Sequence, residues 1–380
     1  DIGTQSELGS LESYALSSEG NLLALSFSQL PGVLMIDFDT LESLSVFNAY
    51  TQFIFPNNFL GDSLGLKWSP NGEFLAFIGK QSENSAPQLL IYSISTELII
   101  YTSPTSRSIY DFEWSPSSQN LAVSSKVCTS VTCESRLDII SLTSNPSITL
   151  SHDIGNYLFP IVNEASAACK FSWSPNEAYL AFLSSCDAGA IGTPREVYLL
   201  DLSTNLSQNI TNLNTVGFDL NQIVLDLFGN HSLSWLNPEQ LLIGSAWRNE
   251  NNSPISTEQF IYNVSNNTLL SLQTGETSSR FETTINSQLA YSGLVYDDNG
   301  FPVLSNLYIA SIDNNNLVID RTFNHSCRYM WSPNGLLLAY SQENQTIDTC
   351  FSPPDSLILY NTVDLQSTEF LFADPFIWLL

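Results

Sequence analysis

The sequence predicts an all-β chain, a seven-bladed β-propeller of four-stranded antiparallel blades, and three observations carry that prediction. A ten-residue pattern built on Trp-Ser-Pro recurs along the chain in four close copies and three weaker ones. Short apolar runs follow each copy and are separated by polar turns, a strand-and-turn rhythm rather than a helical one. The composition, 43% hydrophobic with 12% aromatic over 380 residues, is rich enough to bury a large core.

The close copies are Trp68-Ser69-Pro70-Asn71-Gly72-Glu73-Phe74-Leu75-Ala76-Phe77 and the segments 114–123, 173–182 and 331–340. The weaker ones are 16–25, 235–243 and a shortened copy ending in Gln288-Leu289-Ala290-Tyr291. Trp68 and Trp331 are 263 positions apart over five steps, about 53 residues per repeat. Within a unit, a β-rich run ends in Trp and a Ser-Pro-Asn-Gly turn reverses the chain. A short apolar strand such as 74–78 follows. An alternating strand comes next (89–92, 136–140, 197–201, 307–310 or 357–360), and a weaker fourth strand such as 147–150 or 317–320 closes the unit. Four-stranded units at this period are propeller blades.

The expected blades are 11–50, 58–103, 107–151, 165–212, 228–272, 277–323 and 327–373, within one domain over 1–373. Residues 374–380 read as a closing strand or tether. Asp374-Pro375-Phe376-Ile377-Trp378 looks like the first strand of a further unit, so eight blades or a longer chain is the alternative. The segment 217–228 has apolar positions at helical spacing and reads as a short inserted helix, with a plain blade strand as the equal alternative. Each repeat Trp shares a strand face with the residue two before it (Leu66, Phe112, Phe171, Leu233 or Tyr329), and these pairs are expected to fill the space between neighbouring blades.

The W-S-P-[ND]-G-x-x-L-A-F pattern resembles the TolB-type, WD40-like (PD40) propeller repeat, which also occurs in the propellers of prolyl oligopeptidase and dipeptidyl peptidase relatives. The resemblance covers nearly the whole chain. It implies a scaffold for protein–protein contact or a gating domain attached to a hydrolase. The pattern marks blade turns and contains no catalytic residue, so no active site transfers with it.

Eleven Lys and Arg stand against 38 Asp and Glu, a net charge of −27. Phosphate-backbone binding needs clustered cations, so nucleic acid is excluded as a partner, as is docking on an anionic bilayer surface. No apolar window reaches the length of a membrane-spanning helix, so membrane insertion is not expected. The chain begins at Asp1, as a mature secreted chain or a trimmed one would.

Six cysteines are present, and sequence alone leaves fifteen connectivities open. The repeat reading places neighbours in one hairpin or blade, which favours Cys128–Cys133, Cys169–Cys186 and Cys327–Cys350 and an oxidising compartment. Six buried thiols in a cytosolic protein is the competing reading.

Basic residues are scarce, which makes their placement informative. Lys67, Lys170 and Arg328 fall one or three residues before a repeat Trp, and Asp111 and Glu113 occupy the same register in the third repeat. Inter-blade ion pairs, Lys67 with Glu113 and Asp111 with Lys170, are expected; a ligand site at the channel mouth is the sharper alternative. Gly61-Asp62-Ser63-Leu64-Gly65 matches the nucleophile-elbow pattern but leads into a strand rather than a helix, and His152, His231 and His325 lie in other repeats. Asp297-Asp298-Asn299-Gly300 lacks the spacing of a calcium loop and reads as a hairpin tip. No cofactor and no catalytic or metal-binding residue is expected, weak calcium binding through surplus carboxylates apart. Glycosylation sequons begin at Asn205, Asn209, Asn230, Asn251, Asn263, Asn266, Asn324 and Asn344.

The functional expectation is a non-catalytic extracellular, cell-surface or periplasmic scaffold that binds other proteins or copies of itself. The alternative is a propeller enzyme or gating domain, hydrolase-associated or metal-dependent, acting on peptides or glycans.

Overall fold

A computed structural model describes residues 11–27, 32–46, 52–53, 65–80, 86–128, 133–143, 145–154, 167–184, 196–211, 224–225, 233–248, 254–272, 277–283, 288–296, 302–313, 316–324, 329–331, 336–342 and 356–371. Every regular element among them is a β-strand, and the strands form seven antiparallel sheets. Blade 1 comprises Leu11–Leu16, Leu22–Phe27, Val33–Asp37 and Ser43–Val46. In blade 2, Gln52–Phe53 and Lys67–Trp68 both pair with Phe74–Lys80, and Gln88–Ser93 and Leu98–Thr102 follow. Blade 3 is Arg107–Trp114, Asn120–Cys128, Cys133–Ser141 and Ser147–Asp153; blade 4 is Cys169–Trp173, Tyr179–Leu183, Val197–Asp201 and Leu206–Asn209. Blade 5 pairs Val224–Leu225 and Leu233–Asn237 with Gln240–Arg248, then adds Pro254–Asn263 and Thr268–Leu272. Blade 6 is Thr277–Thr283, Leu289–Tyr296, Pro302–Asp313 and Asn316–Asn324, and blade 7 is Tyr329–Trp331, Leu337–Gln342, Ser356–Asn361 and Ser367–Leu371.

The expected all-β, seven-bladed β-propeller is therefore the fold. One expectation is corrected in part. Val224 and Leu225, inside the segment read as a helix, are strand residues opposite Arg248 and Trp247; the adjoining 212–223 and 226–232 lie outside the described residues, as do 374–380. The chain divides into two compact units, one holding 1–173 and 177–209 with Leu380, the other 174–176 and 210–379.

Apolar runs rather than strict alternation mark the second and third strands because both faces of a blade are covered. In the first unit, Leu75 and Phe77 pack towards Ala24, Val33 and Met35 of blade 1. Their strand neighbours Ala76 and Ile78 point the other way, to Ile109, Phe112 and Trp114 of blade 3. Ala122, Leu137 and Ile139 continue the series to Phe171, Leu180, Phe182 and Tyr198 of blade 4. The second unit repeats the scheme: Leu242 and Ile261 of blade 5 meet Leu289, Tyr291 and Tyr308 of blade 6. Leu307 and Ile309 of blade 6 then meet Tyr329, Tyr340 and Tyr360 of blade 7. Each fully buried Leu or Phe contributes roughly 1.5–3 kcal/mol, so the blade-to-blade layers dominate the stability.

The serine of the repeat turn explains why the motif recurs. Ser69 is fully buried. Its hydroxyl accepts the Phe74 N–H at 2.9 Å and donates to Asn71 Oδ1 at 2.7 Å, and its carbonyl accepts the Gly72 N–H at 2.9 Å. Ser17 and Ser115 make the matching bonds to Leu22 and Asn120. Four residues after the Trp position the backbone is left-handed, at Gly20 (φ 74°), Gly72 (φ 71°), Ser118 (φ 64°) and Glu177 (φ 55°). Glycine takes this conformation freely. Where it is absent, the side chain reaches the preceding turn: Ser118 Oγ accepts the Asn71 N–H at 2.9 Å, and the Glu177 carboxylate accepts from the Ser117 N–H and Asn120.

Replacing Ser69 with Ala strands the Phe74 N–H inside the turn. The expected cost is about 1–3 kcal/mol, read as a lower midpoint in thermal or urea unfolding with the far-UV circular dichroism of the folded state unchanged.

Candidate functional site

The strands Lys67–Trp68, Arg107–Trp114 and Cys169–Trp173 of blades 2, 3 and 4 each carry both a repeat Trp and some of the scarce charges. Trp114 and Trp173 are buried in the inter-blade layers, as are Leu66, Phe112, Phe171 and Tyr329 two residues before a repeat Trp; Leu233 is half-buried. Beyond filling space, the indoles make directional bonds. Trp68 Nε1 donates to the Ala15 carbonyl at 2.9 Å, Trp114 Nε1 to the Lys67 carbonyl at 3.0 Å, and Trp173 Nε1 to the Glu113 carbonyl at 3.1 Å. Each acceptor occupies the same place in the preceding blade, one residue before the Trp position. A buried indole needs such a partner, and here it sets the register of one blade on the next.

The expected pair of Lys67 with Glu113 is present. Lys67 Nζ lies 2.7 Å from Glu113 Oε2, 3.7 Å from Asp111 Oδ1 and 5.3 Å from the centre of the Phe112 ring, and it donates to the Phe112 carbonyl at 2.7 Å. Asp111 meets Lys170 through the backbone: the Lys170 N–H donates to Asp111 Oδ2 at 2.6 Å. β-Bulges between Ile109 and Asp111 and between Cys169 and Ser172 bring these groups together, with Lys170 at φ 54°. Asp111 thus joins blades 2, 3 and 4. Burial alone would lower the Lys67 pKa, but Glu113, with Asp111 adding, outweighs it and holds the ammonium well above the ordinary lysine range. Arg328 lies outside the described residues.

Two further polar links carry weaker sequence signals. Arg107 is ion-paired with Asp138, whose side chain is 1% exposed; a lone carboxylate inside the apolar run Leu137-Asp138-Ile139-Ile140 demands such a partner. His152 is buried between blades 3 and 4, with Nδ1 3.0 Å from Asn205 Oδ1 and Nε2 3.0 Å from Ser207 Oγ. Asn205 and Ser207 belong to one sequon, so that sequon is also an inter-blade latch. Asn209 hydrogen-bonds the Tyr198 hydroxyl, whose pKa burial and Glu196 push up to about 12. Asn266 is exposed and accepts the Thr268 hydroxyl at 2.5 Å, while Asn263 Oδ1 accepts the Asn266 N–H at 3.3 Å. Asn324 lies in the fourth strand of blade 6, and Asn230, Asn251 and Asn344 lie outside the described residues.

Cys128 and Cys133 are direct register partners across one hairpin, a placement that suits a disulfide. Cys169 is disulfide-bonded and buried. Cys186, Cys327 and Cys350 lie outside the described residues, as do Gly61–Leu64, Asp297–Gly300, His231 and His325. Among the described residues, no cluster of three or more His, Cys, Asp or Glu side chains is arranged to hold a metal, and no helix is long and apolar enough to cross a membrane.

A second recurrent turn joins the third and fourth strands. Its first side chain caps the loop: Asp37 Oδ1 accepts from Asp39 and Thr40, Asp201 Oδ1 from Ser203 and Thr204, and Asn361 Oδ1 from Val363 and Asp364. Four residues on, the backbone is left-handed, at Leu41 (φ 58°), Glu97 (φ 56°), Asn205 (φ 55°), Asn267 (φ 54°) and Leu365 (φ 60°). In six blades the N–H just after the third strand donates to the carbonyl just before the second, as Phe38 does to Asn21 and Ile94 to Glu73. Where both recurrent turns are described, they therefore lie at the same end of their blade.

No family model and no curated protein sequence matches the chain. Solved structures do match in shape. A prolyl endopeptidase superposes with a TM-score of 0.55 at 10% identity, over 97% of this chain and 51% of its own. A eukaryotic initiation factor gives 0.52 at 14% identity, over 95% of this chain and 88% of its own. An oligogalacturonate lyase from Vibrio parahaemolyticus gives 0.53 at 10% identity, over 88% and 87%. The fold is a WD40-like seven-bladed β-propeller. At these identities the likeness is one of fold alone, and the chain spans about half the prolyl endopeptidase.

Lys67→Met removes the cation that lies between Asp111 and Glu113 and is expected to cost about 1.5–3 kcal/mol. Adding Glu113→Gln should restore part of that loss. Because the folded pKa of Lys67 is raised, its contribution is complete below the ordinary lysine value of about 10.4 and is lost only as pH rises beyond it. Chemical unfolding at neutral and strongly alkaline pH measures both effects.

Proposed function

We propose that the chain is a non-catalytic scaffold, a TolB-type propeller that meets other proteins or further copies of itself at a secreted, cell-surface or periplasmic location. One observation carries this reading. Lys67, Asp111 and Glu113, the charges placed most conspicuously by the sequence, bond one blade to the next, while the recurrent turns present a solvent-facing surface at one end of the blades. A surface assembled from repeated turns suits contact with a partner, and a net charge of −27 discourages random association. The facing Cys128 and Cys133 and the disulfide at Cys169 support an oxidising compartment. The remaining pairings proposed are Cys169–Cys186 and Cys327–Cys350. Weak calcium binding through exposed carboxylates completes the reading; no other cofactor is assigned.

The test is isolation of the protein from its source under native conditions, followed by cross-linking with mass spectrometry across a salt series and with or without a chelator. A stoichiometric complex with another protein or with itself, together with the absence of free thiols in the denatured, unreduced chain, is the expected outcome. Turnover of peptides or oligosaccharides by the purified chain in a broad hydrolase and lyase screen would overturn it in favour of a catalytic or gating propeller.

A further inference from the structure

The sequons at Asn205, Asn209, Asn263 and Asn266 share one three-residue signal, and the structure sets them apart. A glycan is bulky and hydrated, so its acceptor needs a side-chain nitrogen in solvent and free of other duties. At Asn205 both ends of the carboxamide are engaged: Oδ1 lies 3.0 Å from His152 Nδ1, and Nδ2 donates to the Ser151 carbonyl at 3.4 Å. The hydroxyl two residues on, Ser207 Oγ, is spent on His152 Nε2. A sugar on this nitrogen would displace the Ser151 bond at the seam between blades 3 and 4. Asn209 is half-buried and bonded to Tyr198, and the Thr211 of its sequon is buried. Asn263 is half-buried at the end of the third strand of blade 5, with Oδ1 turned to the Asn266 N–H.

Asn266 differs in each respect. It stands exposed in the turn between Pro254–Asn263 and Thr268–Leu272. That turn is fixed without help from its amide nitrogen. Asn263 Oδ1 accepts the Asn266 N–H at 3.3 Å, and the Tyr262 hydroxyl donates to Asn267 Oδ1 at 2.7 Å beside the left-handed Asn267 backbone (φ 54°). The Thr268 hydroxyl, which completes the sequon, donates to Asn266 Oδ1 at 2.5 Å. The carboxamide is therefore held by its oxygen, and among the described residues nothing bonds its nitrogen. A sugar there adds to the turn without breaking a bond in it.

We propose that Asn266 is an N-glycan acceptor and is modified in preference to Asn205, Asn209 and Asn263. The co-substrate is an oligosaccharide joined through its anomeric carbon to a lipid-borne phosphate. Asn266 Nδ2 forms a bond to that carbon as the carbon–oxygen bond to phosphate breaks. The lipid phosphate leaves with the electron pair, and a base of the transferase takes the amide proton. The proposal rests on the extracellular part of the scaffold reading, because such sequons are modified in exported chains.

The test is electron-transfer fragmentation of peptides from the protein isolated from its source, which locates a sugar on a single residue. Occupancy at Asn266 above that at Asn205, Asn209 and Asn263 is the expected outcome. A bare Asn266, or one no more occupied than any of the other three, would sink the proposal. Wild type, Thr268→Val and Asn266→Gln secreted from a glycosylating host give a second measurement. Wild type should carry the Asn266 sugar and both variants should lack it. After enzymatic deglycosylation all three should share one melting temperature, since these are exposed positions and valine suits a strand. A sugar that persists at Asn266 in Thr268→Val, or is missing from secreted wild type, also overturns the proposal. In the source protein, a fully disulfide-bonded chain that is bare at Asn266 rejects this site alone, whereas free thiols reject the extracellular reading.

Discussion

A blade buried on both faces cannot be a stable object by itself, and that constraint organises the structure. Leu75 and Phe77 need blade 1, and their neighbours Ala76 and Ile78 need blade 3. The hydrophobic gain is shared between adjacent sheets, so stability is a property of neighbouring blades rather than of single ones. Apolar layers alone are tolerant of sliding. The indole bonds from Trp68, Trp114 and Trp173 to the preceding blade remove that freedom, because each has one acceptor carbonyl at one height along the strand.

Electrostatics follows the same logic. With so few cations in a strongly acidic chain, Lys67 is placed where two carboxylates of the next blade converge, and Asp111 spends its second oxygen on the backbone of the blade after that. Partly buried charges of this kind give specificity more reliably than stability. His152 does comparable work at the outer strands with neutral partners, tying blade 3 to Asn205 and Ser207. The interior of the first unit is thus pinned near its inner strands by charge and near its outer strands by an imidazole latch. Its exposed turns are left to vary. Side chains on those turns can change without disturbing the layers beneath them.

The sequence made the turns legible because their chemistry is local. Ser69, Asn71 and Gly72 satisfy one another within a few residues, so the motif records its own hydrogen bonds. The Lys67–Glu113 pair was legible for a related reason: both residues sit at a fixed offset from a repeat Trp, and equal offsets in adjacent blades bring side chains together. The Asp111–Lys170 link was legible as a neighbourhood, but the partner atom was not, because a bulge with a left-handed Lys170 turns the backbone N–H towards the carboxylate. The second recurrent turn escaped notice because its first residue varies among Asp, Ser and Asn and its left-handed residue among Leu, Glu and Asn. Only φ and the capping bonds reveal the common geometry.

By itself, then, the amino-acid order determined the strand count per unit, the turn chemistry and the number of blades, since periodicity and short-range hydrogen bonding are written in contiguous residues. Tertiary structure alone decided which carbonyl each indole meets, that Asn205 serves as a latch, and that Leu41, Leu98 and Leu206 stand in solvent. Those outcomes depend on residues some fifty positions apart being carried to one place by the packing of whole sheets, and no local pattern encodes where a neighbouring sheet will put its atoms.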